Sequence, residues 1–343
     1  MALPPIKLDH LKALTDDTGI LQHAKYSTPQ RSQGYTTDDN ARALLACIKY
    51  HQLFNNDEME KLIDTYLSFL LHMQRPDGKF HNLLSYECHF KDEVGSEDCM
   101  GRALWACGYV VNSRLTRGKT MLSKQIFDKG LKWISTFPSL RAKAYTILGL
   151  QYYAKAFPQD NNLILNTRTL TDQLCENYHR TASSDWQWFE PYMTYANARL
   201  PHALFEAYRL TRNDYYLQLG RASLDFLIQH QVLDNMFVPV GNKGFYSKLT
   251  EKAFYDQQPI EASCMVEAAK SAFHVTGDEK YLKIAHIAFS WFRGNNSRKL
   301  EVYDQKTGGC YDGITPQGIN LNQGAESTIC YLLARLELEK KVD

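Results

Sequence analysis

The chain has 343 residues, 44% hydrophobic and 22% charged, which is enough apolar material for a sizeable core and too much for a disordered segment. Lys and Arg number 39 against 38 Asp and Glu, so a net charge of +1 offers no field to a polyanion and argues against nucleic acid as a partner. The excess is aromatic: 21 Tyr, 16 Phe and 5 Trp, many beside Gly, Asn and Asp, as in a surface that stacks on sugar rings.

From the start of the chain, Met1 to His10 shows no basic stretch leading into an apolar run and no small-residue cleavage site. Neither a signal peptide nor a transmembrane helix reads there, so the expectation is a soluble, cytoplasmic protein. Ile6 to Leu14 has amphipathic helical spacing. TTDDNARALLACIKY from Thr36 then opens the first of six segments that share one grammar, a polar cluster followed by a helical run rich in Ala and Leu. The others begin SEDCMGRALWACGYV at Ser96, RAKAYTILGLQYYA at Arg141, NARLPHALFEAYRL at Asn197, PIEASCMVEAAKSAF at Pro259 and GAESTICYLLARLEL at Gly324. Between them lie longer-chained amphipathic helices over Met59 to Met73, Lys124 to Phe137, Leu163 to His179, Tyr215 to Gln231 and Lys280 to Phe292. Six Ala-rich buried helices alternating with six amphipathic ones predict an all-α (α/α)6 toroid, one domain over 1–343. The eight cysteines show no C-x-x-C spacing and read as free thiols.

Connections that enter the Ala-rich helices are long and carry Asp-Gly, Gly-Asn and aromatic residues, with room for short hairpins; those that leave them are mostly short. One end of the toroid therefore holds a cleft floored by helix N-termini. At those starts stand Asp38, Asp39 and Arg42; Glu97, Asp98 and Arg102; Arg141; Asn197, Arg199 and His202; Glu261; and Glu326, with Gln258, Asp312 and Asn322 in the loops beside the last two. Acidic residues in a first turn also cap amides and suit the helix dipole, but arginines there oppose it, which suggests a polar network around a pocket. The competing account is a set of ion pairs that only holds the ring together.

A cleft with several carboxylates and aromatics and no phosphate loop suits glycosidic bond cleavage, in which one carboxylic acid protonates the leaving oxygen and a second carboxylate activates water or attacks. The stretches GNKG and TGGC lack phosphate-loop spacing. In SSDWQWFEPYMTYANARLP, Trp186, Trp188, Phe189, Tyr192 and Tyr195 surround Glu190, and apolar surroundings raise a carboxyl pKa toward that of a general acid. The alternative is that these rings plug the toroid and Glu190 caps the next helix. His23 and His202 are candidates for sugar hydroxyls, or structural histidines. Cys99, Cys264 and Cys330 lie near helix starts without the His or Cys spacing of a zinc site, so neither metal nor cofactor is expected.

The stretches LDHLKALTDDTGILQHAKYSTPQRSQGYTTDDNARALL, WFEPYMTYANARLPHAL, QPIEASCMVEA and NQGAESTICYLLARL resemble a family of bacterial helical proteins found alone or joined to the C-terminus of glycosyltransferase-like chains, often near mannoside phosphorylase genes. The resemblance implies the (α/α)6 fold and carbohydrate metabolism with mannosides as substrate class, and assigns no catalytic residues. The expectation is an inverting glycoside hydrolase acting on a short manno-configured oligosaccharide. Its catalytic candidates are Asp39, Asp98, Glu190 and Glu261, with Glu190 the preferred acid and Asp39 or Asp98 the base. A sugar epimerase or isomerase of the same fold, needing histidines, ranks second, and a non-catalytic carbohydrate-binding module third.

Overall fold

Helices that touch neighbours around most of their circumference need small side chains where backbones approach, and the Ala-rich segments supply them. The computed structural model describes residues 3–340; Met1, Ala2 and residues 341–343 of the domain expected over 1–343 lie outside the described residues. Within them run α1 (Asp9–Leu14), α2 (Thr37–Phe54), α3 (Met59–Met73), α4 (Glu97–Val111), α5 (Arg117–Leu131), α6 (Leu140–Ala156), α7 (Asn161–Thr181), α8 (Arg199–Thr211), α9 (Asp214–Gln231), α10 (Pro259–Thr276), α11 (Glu279–Ser290) and α12 (Ala325–Glu339). The even-numbered helices pack each against the next, and α12 returns to α2, which closes an inner ring. Each odd-numbered helix lies outside against an inner one: α3 on α2, α5 on α4, α7 on α6, α9 on α8, α11 on α10 and α1 on α12. This is the (α/α)6 toroid.

Local chemistry explains the division. α3 buries Ile63, Tyr66, Leu67 and Leu70, a three-and-four stripe that faces α2 and leaves its other side to water. α4 and α6 meet through glycines: a methyl group on Gly108 would lie 2.3 Å from the Gly149 carbonyl oxygen, and one on Gly149 would lie 2.7 Å from that of Leu104. Thr36, Ser96 and Ser139 begin α2, α4 and α6 by accepting from the backbone N–H of Asp39, Cys99 and Ala142 at 3.0, 3.2 and 3.2 Å. Both boundaries of one helix differ clearly from the sequence reading, α5 ending at Leu131 rather than Phe137. α5 starts at Arg117 rather than Lys124, because the Lys119 ammonium reaches Glu60 and Asp64 of α3 at 2.9 and 3.1 Å and supports a turn that has no apolar stripe.

Short strands occur in the connections that enter inner helices. Val232–Leu233 with Met236–Phe237 and Gly313–Thr315 with Gly318–Asn320 are hairpins, as expected. Two further pairings join different connections: Tyr35–Thr36 with Leu83–Leu84, and Tyr192–Met193 with Tyr246–Ser247. The loops are thus stitched to one another across the open end, which fixes the walls of a cleft over the N-termini of the inner ring. Among the described residues no helix is long and apolar enough to cross a membrane.

Candidate active site

Where α2 and α12 begin side by side, a cavity of about 340 Å³ opens between the loops. Seven residues singled out from the sequence line it: His23, Asp38, Asp39, Arg42, Gln258, Asp312 and Glu326. Gln22, Thr36, Asn82, Asn320, Gly324 and Ser327 complete the wall. Asn82 carried no signal in the sequence; it arrives because Leu83–Leu84 pairs with the strand that runs into α2.

Arg42 stands between two carboxylates, with Nη1 donating to Asp39 Oδ1 at 2.8 Å and Nη2 lying 2.8 Å from Glu326 Oε2. The Thr36 hydroxyl donates to Asp39 Oδ2 at 2.8 Å. Asp39 has a side chain only 5% exposed, and burial, aided by Glu326 and opposed by Arg42, pushes its carboxyl up to about 6. Its neighbour goes the other way. Burial also penalises the charge on Asp38, but the Arg102 guanidinium at 2.8 Å, together with Arg42, outweighs it and holds that carboxyl below its ordinary value. Asp312 is raised by burial, against the pull of the Gly324 N–H and the Ser327 hydroxyl, which both donate to its Oδ1 at 2.8 Å. The side chains of His23 and Gln258 face the cavity with no hydrogen-bond partner among the described residues.

The polar floor continues along the ring beyond the cavity. Asp98 Oδ2 lies 3.9 Å from Arg102 and accepts from the Tyr195 hydroxyl at 2.7 Å, while Oδ1 accepts from Ser139 at 2.6 Å. Glu97 accepts from the Ser139 N–H at 2.9 Å. Arg141 donates to the Tyr195 carbonyl at 2.6 Å and to Glu190 Oε2 at 2.8 Å. Each of Arg42, Arg102 and Arg141 is thus matched by a carboxylate, which resolves their poor position at helix starts.

Other candidates sit elsewhere. The Glu190 carboxylate faces the Arg141 guanidinium instead of an aromatic shell; Trp188 is fully buried against Phe189, and Tyr192 is 45% exposed. These rings pack the loop or face outward, and neither Trp188 nor Tyr192 lines the cavity. Glu261 accepts from the Ala196 and Asn197 N–H groups and from Asn197 Nδ2, and burial pushes it up to about 7. Asn197 bridges Thr194 and Glu261, and Asn322 accepts from the Tyr26 N–H at 2.9 Å, so both hold loops in place. Arg199 and His202 do not face the cleft. Arg199 donates to Glu267 at 2.8 Å and to His202 Nδ1 at 2.9 Å inside the ring, where burial, then the Arg199 charge, pushes His202 down to about 4.

No protein-family profile matches the sequence, and no curated protein matches it. Solved structures do match in fold. A D-mannose isomerase superposes with a TM-score of 0.74 at 13% identity, over 96% of this chain and 94% of that one. A cellobiose 2-epimerase from Bacillus thermoamylovorans gives 0.75 at 13% identity, over 97% and 95%. A Salegentibacter α-1,6-mannanase, an inactive variant with alanine in place of two consecutive aspartates and in complex with α-1,6-mannotetrose, gives 0.64 at 10% identity, over 96% and 95%. At such identities the likeness is one of fold.

Proposed function

We propose that this chain is a carbohydrate-active enzyme that performs acid–base chemistry on a short, manno-configured saccharide in the cavity over α2 and α12. The observation that carries the reading is the pair Asp38 and Asp39, adjacent in sequence, at one cavity, and driven in opposite directions by their surroundings. Titratable groups whose environments separate their pKa values mark acid and base roles. In the hydrolytic reading, the raised Asp39 supplies a proton to the leaving oxygen by way of the Thr36 hydroxyl, which lines the cavity. Asp38, held ionised by Arg102, activates water or attacks the anomeric carbon. The mannanase of similar fold, inactive when two consecutive aspartates are replaced, supports this assignment.

A second reading, epimerisation or isomerisation at the reducing end, is supported by the isomerase and epimerase of the same fold, which superpose better than the mannanase. The unpartnered His23 then moves the proton beside the sugar carbonyl, with Glu326 across the cavity. The fold likeness weighs toward this chemistry and the carboxylate pair toward hydrolysis. One experiment separates them: proton NMR of the chain incubated with mannose and with mannobioses. New monosaccharide from mannobiose indicates hydrolysis, and a changed configuration or a ketose indicates the second reading. No conversion of any of these sugars, by a protein that unfolds cooperatively, overturns both.

A further inference from the structure

The cavity over α2 does not end at Asp312. A second compartment of about 440 Å³ lies beyond it, and the two share Gln258, Asp312 and Asn320 as a common wall. Each alone has the volume of a small-molecule site, ~300–1,000 Å³. The second is lined by Asn242, Lys243 and Asp256 from one loop and by Thr315 of the last hairpin, a mixture of donors and acceptors with no aromatic ring.

The wall between them is built to hold its shape. Gln257 and Ile314 exchange backbone hydrogen bonds at 3.0 and 2.9 Å, which ties the loop to the hairpin. The buried Gln257 side chain donates to the Phe254 carbonyl at 2.8 Å and to Ser297 at 3.1 Å, and accepts from the Trp291 indole at 2.9 Å. Gly313 has a φ of 148°, and a methyl group there would meet the Gln257 carbonyl at 2.3 Å. Gly241 admits the Tyr255 carbonyl just as closely, a methyl there falling at 1.9 Å. The side chains of Lys243, Asp256 and Gln258, by contrast, have no hydrogen-bond partner among the described residues. A rigid frame thus presents half-buried and exposed polar groups that no protein group engages to a space continuous with the candidate active site, where they are free to hydrogen-bond a ligand.

We propose that this second compartment binds further sugar units of the same substrate, so that the chain recognises a neutral oligosaccharide of three or more units and reads its length at Lys243 and Asp256. The inference rests on the carbohydrate reading above. A mixed lining with one cation and two carboxylates suits hydroxyl groups, which donate and accept, better than a phosphorylated or uronate chain.

The test is calorimetric titration of the whole protein with mannobiose, mannotriose and mannotetraose, which needs no turnover. The expected result is a gain of about tenfold in affinity from disaccharide to trisaccharide, the size of one or two hydrogen bonds, collapsing toward unity in Lys243→Ala and Asp256→Asn. Lys243 is exposed, and Asn tolerates the positive φ of 60° at Asp256, so both variants keep the fold. A trisaccharide no tighter than the disaccharide, or a gain that survives both substitutions, overturns the second compartment while leaving the carbohydrate reading in place. Absence of binding at every length removes that reading and this inference together.

Discussion

Asp39 carries a charge where burial opposes it, and that has a thermodynamic consequence. Its carboxyl is raised from 3.8 to about 6, so the folded chain binds this proton more tightly than the unfolded one. The resulting stabilisation is fully present below pH 3.8 and is lost as pH rises through 6, a difference of about 3 kcal/mol. Asp39→Asn keeps an oxygen for Arg42 and Thr36 and removes the charge. Its melting temperature relative to the parent should therefore be highest at pH 7 and decline toward pH 4, where the parent's own carboxyl is protonated, while turnover drops ~10²-fold or more for loss of an acid–base group. A variant that melts early at pH 7 and keeps its rate assigns Asp39 to capping alone. Asp98, the other base candidate, behaves differently: its two oxygens are taken by Ser139 and Tyr195, so Asn there also sacrifices structure.

At the scale of elements, contact between α4 and α6 depends on Gly149. In an exposed helix Gly→Ala stabilises by about 1 kcal/mol through the backbone. Here the added methyl group meets the Leu104 carbonyl, and overpacking costs typically ~1–3 kcal/mol. Gly149→Ala should therefore lower the denaturation midpoint, and a raised midpoint would show that the two helices part freely. The elements were legible in the sequence because burial repeats locally: Met59 to Met73 was read to the residue, and all six Ala-rich runs became the inner ring. The site was legible only in part. Seven candidates met at one cavity since capping position and cleft coincide wherever an inner helix begins at the rim. Arg199 and His202 broke that rule: Arg199 pairs with Glu267, midway along α10, and with His202, inside the ring and away from the rim. No local pattern in the sequence encodes that depth. Sequence neighbourhood also misled at Glu190: Trp186, Trp188 and Phe189 turned toward the core, Tyr192 and Tyr195 stayed exposed, and its carboxylate found Arg141 of α6.

Across the whole molecule, Lys49 of α2, Arg199 of α8, Glu267 of α10 and Glu337 of α12 form a buried ionic cluster, with Lys49 at 2.9 Å from both glutamates and Arg199 at 2.8 Å from Glu267. Burial disfavours both carboxylates, but Lys49, joined at Glu267 by Arg199, outweighs it, holding Glu267 well below the carboxylate range and Glu337 down to about 2. Because these values are depressed, the stabilisation is present above the ordinary value of 4.5 and disappears as pH falls toward 2. The melting temperature should decline steeply over that interval. Glu267→Gln, which strands Arg199, should cost ~3–5 kcal/mol at pH 7 and flatten the acid decline; an unchanged acid limb would move the sensitivity to other groups. The ring's closure between α12 and α2 also sets a schedule. His23, Asp38, Asp39 and Arg42 are synthesised well before Asp312 and Glu326, which follow them after roughly 290 residues, on the order of 15 to 60 s at cellular synthesis rates. Until α12 docks, Arg42 lacks its second carboxylate and the cavity lacks a side. A nascent chain that lacks α12 therefore has no closed cavity in which to hold a ligand, and the cavity is completed in a single step when that helix docks.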